Sequence, residues 1–202
     1  MKQFTVPLLC FVAAQVVSLW NYSALPDQMA IHFGPSNEAD GWADKWVGAF
    51  LLPVMILLVP WLQQLTSRWE QDDNKRRRMV AVNANVSGFV SAILFALHVF
   101  VIRFNLGHSW SPSLFAALAV GVLLIAIGNL LPRMPQGKKS FPRIPEAVYP
   151  KVSRFNGRVM VGAGIVLLFS SLLPAEAAPY MFGAVMLAIV VSTVGSTLYY
   201  KR

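Results

Sequence analysis

Six apolar stretches, each separated from the next by a short polar segment, run through the chain at residues 4–20, 46–65, 79–102, 112–132, 159–174 and 179–200. A helix rises about 1.5 Å per residue, so about 20 apolar residues cross a hydrocarbon core about 30 Å thick. Lipid offers no hydrogen bonds to backbone amides, and each stretch is therefore read as a helix that pairs its own backbone groups. The pattern predicts an all-α membrane protein. It forms a six-transmembrane-helix bundle, a single membrane domain over residues 1–202, with a small ordered outer loop between helices 1 and 2. Met1-Lys2 followed by an apolar run resembles a signal peptide, but the segment is read here as the first span.

The polar segments differ in character. Residues 21–45 form the outer cap loop. Within it, Met29, Ile31 and Phe33 alternate with Ala30 and His32, the pattern of a short strand with one apolar face. Asp40-Gly41 reads as a turn pair. Folding back there brings Trp42 and Lys45 near the His32 strand. Residues 133–158 form a basic loop that Pro132, Pro135, Pro142, Pro145 and Pro150 keep from being one continuous helix.

Composition sharpens the class. The chain is 56% hydrophobic and only 13% charged, which excludes an ordinary soluble surface. The tryptophans (Trp20, Trp42, Trp46, Trp61, Trp69 and Trp110) fall at span ends or in loops, where amphipathic rings favour the headgroup level. The net charge of +8 is unevenly spread. One side of the predicted topology carries 15 of the 17 basic residues, and the other carries only Lys45 and Arg103. Positive charge stays cytoplasmic, which predicts both termini on the cytoplasmic side of the membrane, with anionic lipid as a partner at that face. That distribution accounts for the basic excess and argues against nucleic acid as a partner.

Polar residues within the spans are few. Asn83, Ser87, Ser91 and His98 share one face of the third helix at spacings of four, four and seven. They read either as interhelical glue or as a proton or substrate path, and glue is favoured because no acidic residue lies in any span. Ala117 and Gly121, and Ala184, Ala188, Ser192 and Ser196, lie at helical spacing that suits close packing. Cys10 is the single cysteine and lies inside the first span, so no disulfide forms within the chain. His32, Glu38, Asp40 and Asp44 are metal-type donors without a recognised ligand spacing, and local hydrogen bonding is the favoured reading. No catalytic set, metal site or cofactor motif is found.

The string Leu25-Pro26-x5-His32-Phe33-x6-Asp40-Gly41-Trp42-x2-Lys45, between the first and second spans, resembles the extracytoplasmic domain of the SdpI family. Gly128-Asn129, Arg143-Ile144-Pro145 and Arg154-Phe155-Asn156-Gly157-Arg158 resemble further family positions, as does the Tyr-Tyr-Lys ending, although the Trp-Thr-Leu that usually follows Arg-Thr-Pro is missing. The resemblance implies a non-enzymatic immunity or sensor protein that meets a secreted, membrane-active antibacterial peptide outside and a regulator in the cytoplasm. The ligand contacts are expected at His32, Phe33, Asp40, Gly41, Trp42 and Lys45. The cytoplasmic contacts are expected at Asn129, Arg143, Arg154 and Asn156. The alternative is a small transporter or lipid-handling protein that uses the polar face of helix 3; a membrane hydrolase is a third, weaker option.

Overall fold

A computed structural model describes residues 4–137, 144–173 and 177–201. The chain runs α1 (Thr5–Asn21), a 3-10 turn (Tyr22–Ala24), β1 (Gln28–Phe33), β2 (Ala39–Asp44), α2 (Lys45–Arg68), α3 (Asp73–Asn105), α4 (Pro112–Leu130), a second 3-10 turn (Leu131–Arg133), α5 (Tyr149–Ser170) and α6 (Ala178–Lys201). Among the described residues six helices are long and apolar enough to cross a membrane, and the protein is a multi-pass membrane protein. Apolar side chains are turned outward along them, among them Leu9, Leu19, Phe169, Leu187 and Val191. In a bilayer such a surface meets lipid tails at no cost. All six tryptophans are exposed at between 46% and 85%, in keeping with a headgroup-level role.

The helices form two groups of three. α1, α2 and α3 pack on one another, α5 packs on α4 and α6, and contact between α3 and α4 joins the groups. The α4–α5 seam is the tightest. A Cβ added at Gly128 would lie 2.7 Å from the Gly157 carbonyl, and one added at Gly164 would lie 2.5 Å from the Gly121 carbonyl. Two glycines per helix, seven residues apart, thus let the backbones touch, the small-residue packing that membrane helices use. Ala117 and Gly121 lie on this packed side as read from sequence. The α6 stripe does so only in part: Ala184 and Ala188 face outward, whereas Ser196 is buried and α6 packs through it together with Val185 and Ile189.

Two prolines inside α2 explain much of the polar stripe. Pro53 and Pro60 have no N–H for the carbonyls four residues before them, Ala49 and Ile56. Both carbonyls are instead served by neighbouring helices. Ser18 of α1 donates to Ala49 at 2.6 Å, and Ser91 of α3 donates to Ile56 at 3.2 Å. His98 Nε2 lies 2.9 Å from the Ser18 hydroxyl. Since Ser18 donates its proton to Ala49, His98 donates to Ser18. Further along, Asn83 donates to the Gln63 carbonyl at 3.1 Å and Ser87 to the Gln63 side chain at 2.8 Å. Asn83, Ser87, Ser91 and His98 are all buried, and all bond across helix boundaries. Each residue of the stripe thus bonds to a neighbouring helix, and one of those bonds, Ser91 to Ile56, repairs a proline gap.

Several boundaries differ from the sequence reading. α5 starts at Tyr149, ten residues before the predicted span, because Pro150 sits in its first turn, where a missing N–H costs nothing. The basic loop is therefore shorter, and Lys151, Arg154 and Arg158 are helical. Arg103 belongs to the last turn of α3, with its guanidinium 3.1 Å from His108. α3 begins at an Asp72 cap that accepts from the amides of Asn74 and Lys75. Those backbone bonds, led by Lys75, hold the Asp72 carboxyl below its usual range.

Candidate functional site

The segment between α1 and α2 folds into an antiparallel hairpin, β1 paired with β2. Its turn is not at Asp40-Gly41. It is at Gly34–Asn37, where the Asn37 amide donates to the Gly34 carbonyl at 3.0 Å and Asn37 takes φ +66°. Pro35 presets the turn and Asn tolerates the left-handed position. Asp40 and Gly41 lie inside β2. Gly41 is needed there for space: opposite His32 in the register, a Cβ on it would lie 2.8 Å from the His32 Cβ.

Ladder partners run Met29 with Ala43, Ala30 with Trp42, His32 with Gly41 and Phe33 with Ala39, leaving Ile31 and Asp40 as unpaired, bulged residues. The bulge breaks the expected apolar face. Met29 is fully buried against Gly48 of α2, whereas Ile31 is 41% exposed. The same irregularity brings Asp40 to His32, with Oδ1 2.5 Å from Nδ1, both side chains largely exposed.

The hairpin is fastened to the bundle by two asparagine amides. Asn105, at the end of α3, accepts from the Ala30 amide at 2.7 Å and donates to the Ala30 carbonyl at 2.9 Å, as a neighbouring strand would. Asn37 accepts from the Ser113 amide at 2.7 Å at the start of α4. Between these fastenings Phe33 enters an aromatic cluster, edge-on to Phe100 and Phe104, with Phe100 stacked on Phe115 at 4.6 Å. Neither asparagine is singled out by sequence pattern, since each serves a partner distant along the chain.

Under the hairpin lies the largest cavity among those described, about 700 Å³. Its walls are apolar side chains of α3, α4, α5 and α6, including Leu97, Phe100, Val120, Leu167 and Phe182, while His32, Asp40 and Ser113 add polar groups. A roomy, mostly apolar cavity with a few convergent polar groups has the make-up of a binding site. Of the six residues expected to contact a ligand, His32, Phe33 and Asp40 line it, and Gly41 backs His32. Trp42 and Lys45 do not. Trp42 is 58% exposed outside the cavity lining, and the Lys45 ammonium sits 4.9 Å above the Tyr22 ring. Among the described residues no three metal-type donors converge, and the His32–Asp40 pair is a local contact.

The residues expected to make cytoplasmic contacts lie in different settings. Asn129 and Arg154 line a small groove of about 270 Å³ at the other end of the bundle. Asn156 is buried and points away, accepting from Ser196 of α6 at 3.2 Å. Arg143 lies outside the described residues.

A β-hairpin set between the first two of six transmembrane helices, roofing an apolar cavity, defines a multi-pass membrane protein with a small hairpin domain. Residues 9–57, which take in the hairpin and parts of both flanking helices, match the family described as "Domain of unknown function (DUF1648)". The whole chain aligns with "Immunity protein SdpI" of Bacillus subtilis (strain 168) at 25% identity, over 98% of that protein. A shorter match, 33% identical over 54 residues and 59% of its partner, is to the "Uncharacterized membrane protein YbgB" of the same organism. No solved structure matches the chain. The end-to-end alignment and the amino-terminal domain match both support an SdpI-family assignment.

Proposed function

We propose that the protein is a non-enzymatic membrane immunity protein that intercepts a secreted, membrane-active antibacterial peptide in the cavity beneath its hairpin. The cavity itself carries the reading. At about 700 Å³ it takes several side chains of an amphipathic peptide, its apolar walls suit their hydrocarbon, and the His32–Asp40 pair meets polar or cationic groups. The similarity to a protein named for immunity points the same way. The hairpin faces outward and both termini are cytoplasmic, on the strength of the 15-to-2 basic asymmetry. Occupancy is passed inward through α3 and α4, to which the hairpin is fastened, toward a regulator at the basic face. Transport along the third helix has weaker support, because Asn83, Ser87 and Ser91 spend their hydrogen bonds on α2.

The test is complementation. Expressed in Bacillus subtilis lacking its own SdpI, the protein should restore growth in the presence of the secreted peptide to which that loss exposes the cells. Ala116→Trp, placed on the cavity wall, should remove protection at equal membrane abundance. Protection by the filled-cavity variant would sink the binding site. Orientation is tested separately in a Cys10→Ser background: a cysteine at Ser36 should react with an external label and one at Asp73 should not.

A further inference from the structure

Opposite the hairpin, where α1 begins, α2 ends and α3 begins, the three helices enclose a second cavity of about 470 Å³. Its lining joins two chemistries. Phe4, Trp61 and Val80 supply apolar walls, and Arg68 and Arg77 supply guanidinium groups. Gln64 also lines it, is 9% exposed, and has a side-chain nitrogen without a hydrogen-bond partner.

The local acids do not answer these charges. Glu70 accepts from the amides of Gln71 and Asp72, and Asp72 caps α3. Asp73 pairs with Arg76, and Glu146 pairs with Lys75. Arg68 and Arg77 have no ion-pair partner among the described residues. A buried amide donor left unpaired costs free energy until an acceptor reaches it.

We propose that this cavity is a specific site for one anionic glycerophospholipid. The phosphodiester lies between Arg68 and Arg77, whose forked donors match phosphate oxygens. A glycerol-ester or phosphate oxygen accepts from Gln64. Trp61 and Phe4 hold the glycerol and upper acyl chain at the headgroup level that aromatic side chains favour. An acyl chain can continue between helices into the bilayer, which a free anion has no use for, and the apolar walls therefore select the lipid. The site is independent of the hairpin cavity and of the immunity reading.

Native mass spectrometry of the full-length protein, with dioleoyl-phosphatidylglycerol or dioleoyl-phosphatidylethanolamine added to the detergent, tests it. One phosphatidylglycerol should be retained in preference to phosphatidylethanolamine. Arg68→Gln and Arg77→Gln should each lower that retention about fivefold, the fold-change that about 1 kcal/mol per basic charge corresponds to. Arg133→Gln with Lys151→Gln, equally basic but elsewhere on the same end, should leave it unchanged. Gln64→Leu alters no charge, so a merely electrostatic surface would ignore it. Here it should weaken retention about tenfold, the scale of a hydrogen bond to a charged group. Without lipid, Gln64→Leu should melt no lower than wild type, because it removes an unpaired donor. Equal retention by wild type and Gln64→Leu, equal losses from the Arg133/Lys151 pair, or stabilisation by inorganic phosphate alone would each overturn the site.

Discussion

Ser91 of α3 donates to the carbonyl of Ile56 in α2, the carbonyl that Pro60 deprives of its helical partner. This pairing explains why a hydroxyl is buried in a lipid-spanning seam at all. It predicts a coupled pair of substitutions. Ser91→Ala alone should cost about 1 kcal/mol, the scale of an interhelical bond plus an orphaned carbonyl. Pro60→Ala restores the N–H within the helix, so in that background Ser91→Ala should cost much less. Thermal or denaturant unfolding of the four variants in detergent gives the coupling, and strictly additive losses would refute the repair role.

Asn105 is the fastening whose loss should free the hairpin without unfolding the bundle. Its amide makes two bonds to Ala30 and one to the Val101 carbonyl, the latter at 2.8 Å. Asn105→Leu should therefore weaken docking by about 2 kcal/mol. Limited proteolysis should then cut faster within Gly34–Glu38 while the helices stay resistant. An unchanged cleavage rate would mean that Met29 and the aromatic cluster suffice to hold the hairpin.

Gly41 separates two explanations that look alike from sequence. As a turn residue it would be there for positive φ; as a strand residue it is there because His32 leaves no room for a side chain. Gly41→Val should disorder the hairpin at a cost of about 2 kcal/mol, typical of overpacking. Adding His32→Gly removes the opposing Cβ and should recover most of that stability; His32→Ala should not. Recovery is read from hairpin protease resistance, and failure of His32→Gly to restore it would return the turn explanation.

The helices were legible because lipid imposes one answer on any apolar run of sufficient length. The hairpin was half legible. Alternation at Met29–Phe33 marked the strand, but a period-two pattern cannot announce a bulge, so Ile31 was placed on the wrong face. Asp40-Gly41 reads as a turn because Asp-Gly is a strong hairpin signal, whereas the chain turns at Gly34–Asn37. The polar stripe of α3 was found by its spacing. Its purpose lay in Pro53 and Pro60 on another helix, together with Ser18, Gln63 and the carbonyls of Ala49 and Ile56. The cavity was not legible at all, since its walls come from four helices and the hairpin.

Binding beneath the hairpin and passage along the third helix make opposite demands on the same variants. Under the binding reading, Asp40→Asn removes the carboxylate charge beside His32 at the polar rim, where both side chains are largely exposed, and the hairpin should remain folded. Protection against the peptide should fall several-fold, and the loss should shrink at high salt if a cationic peptide is being attracted. Asn83→Ala removes a buried bond from the α2–α3 seam and should cost about 1 kcal/mol of stability. Once membrane abundance is matched, it should protect as well as wild type. His98→Gln keeps a side-chain donor for Ser18 while abolishing any proton exchange at that position, so it too should protect. Growth under peptide challenge, normalised to the amount of protein in the membrane, decides the matter. If Asn83→Ala and His98→Gln abolish protection at full abundance while Asp40→Asn behaves as wild type, the stripe is the working part and the protein is a transporter.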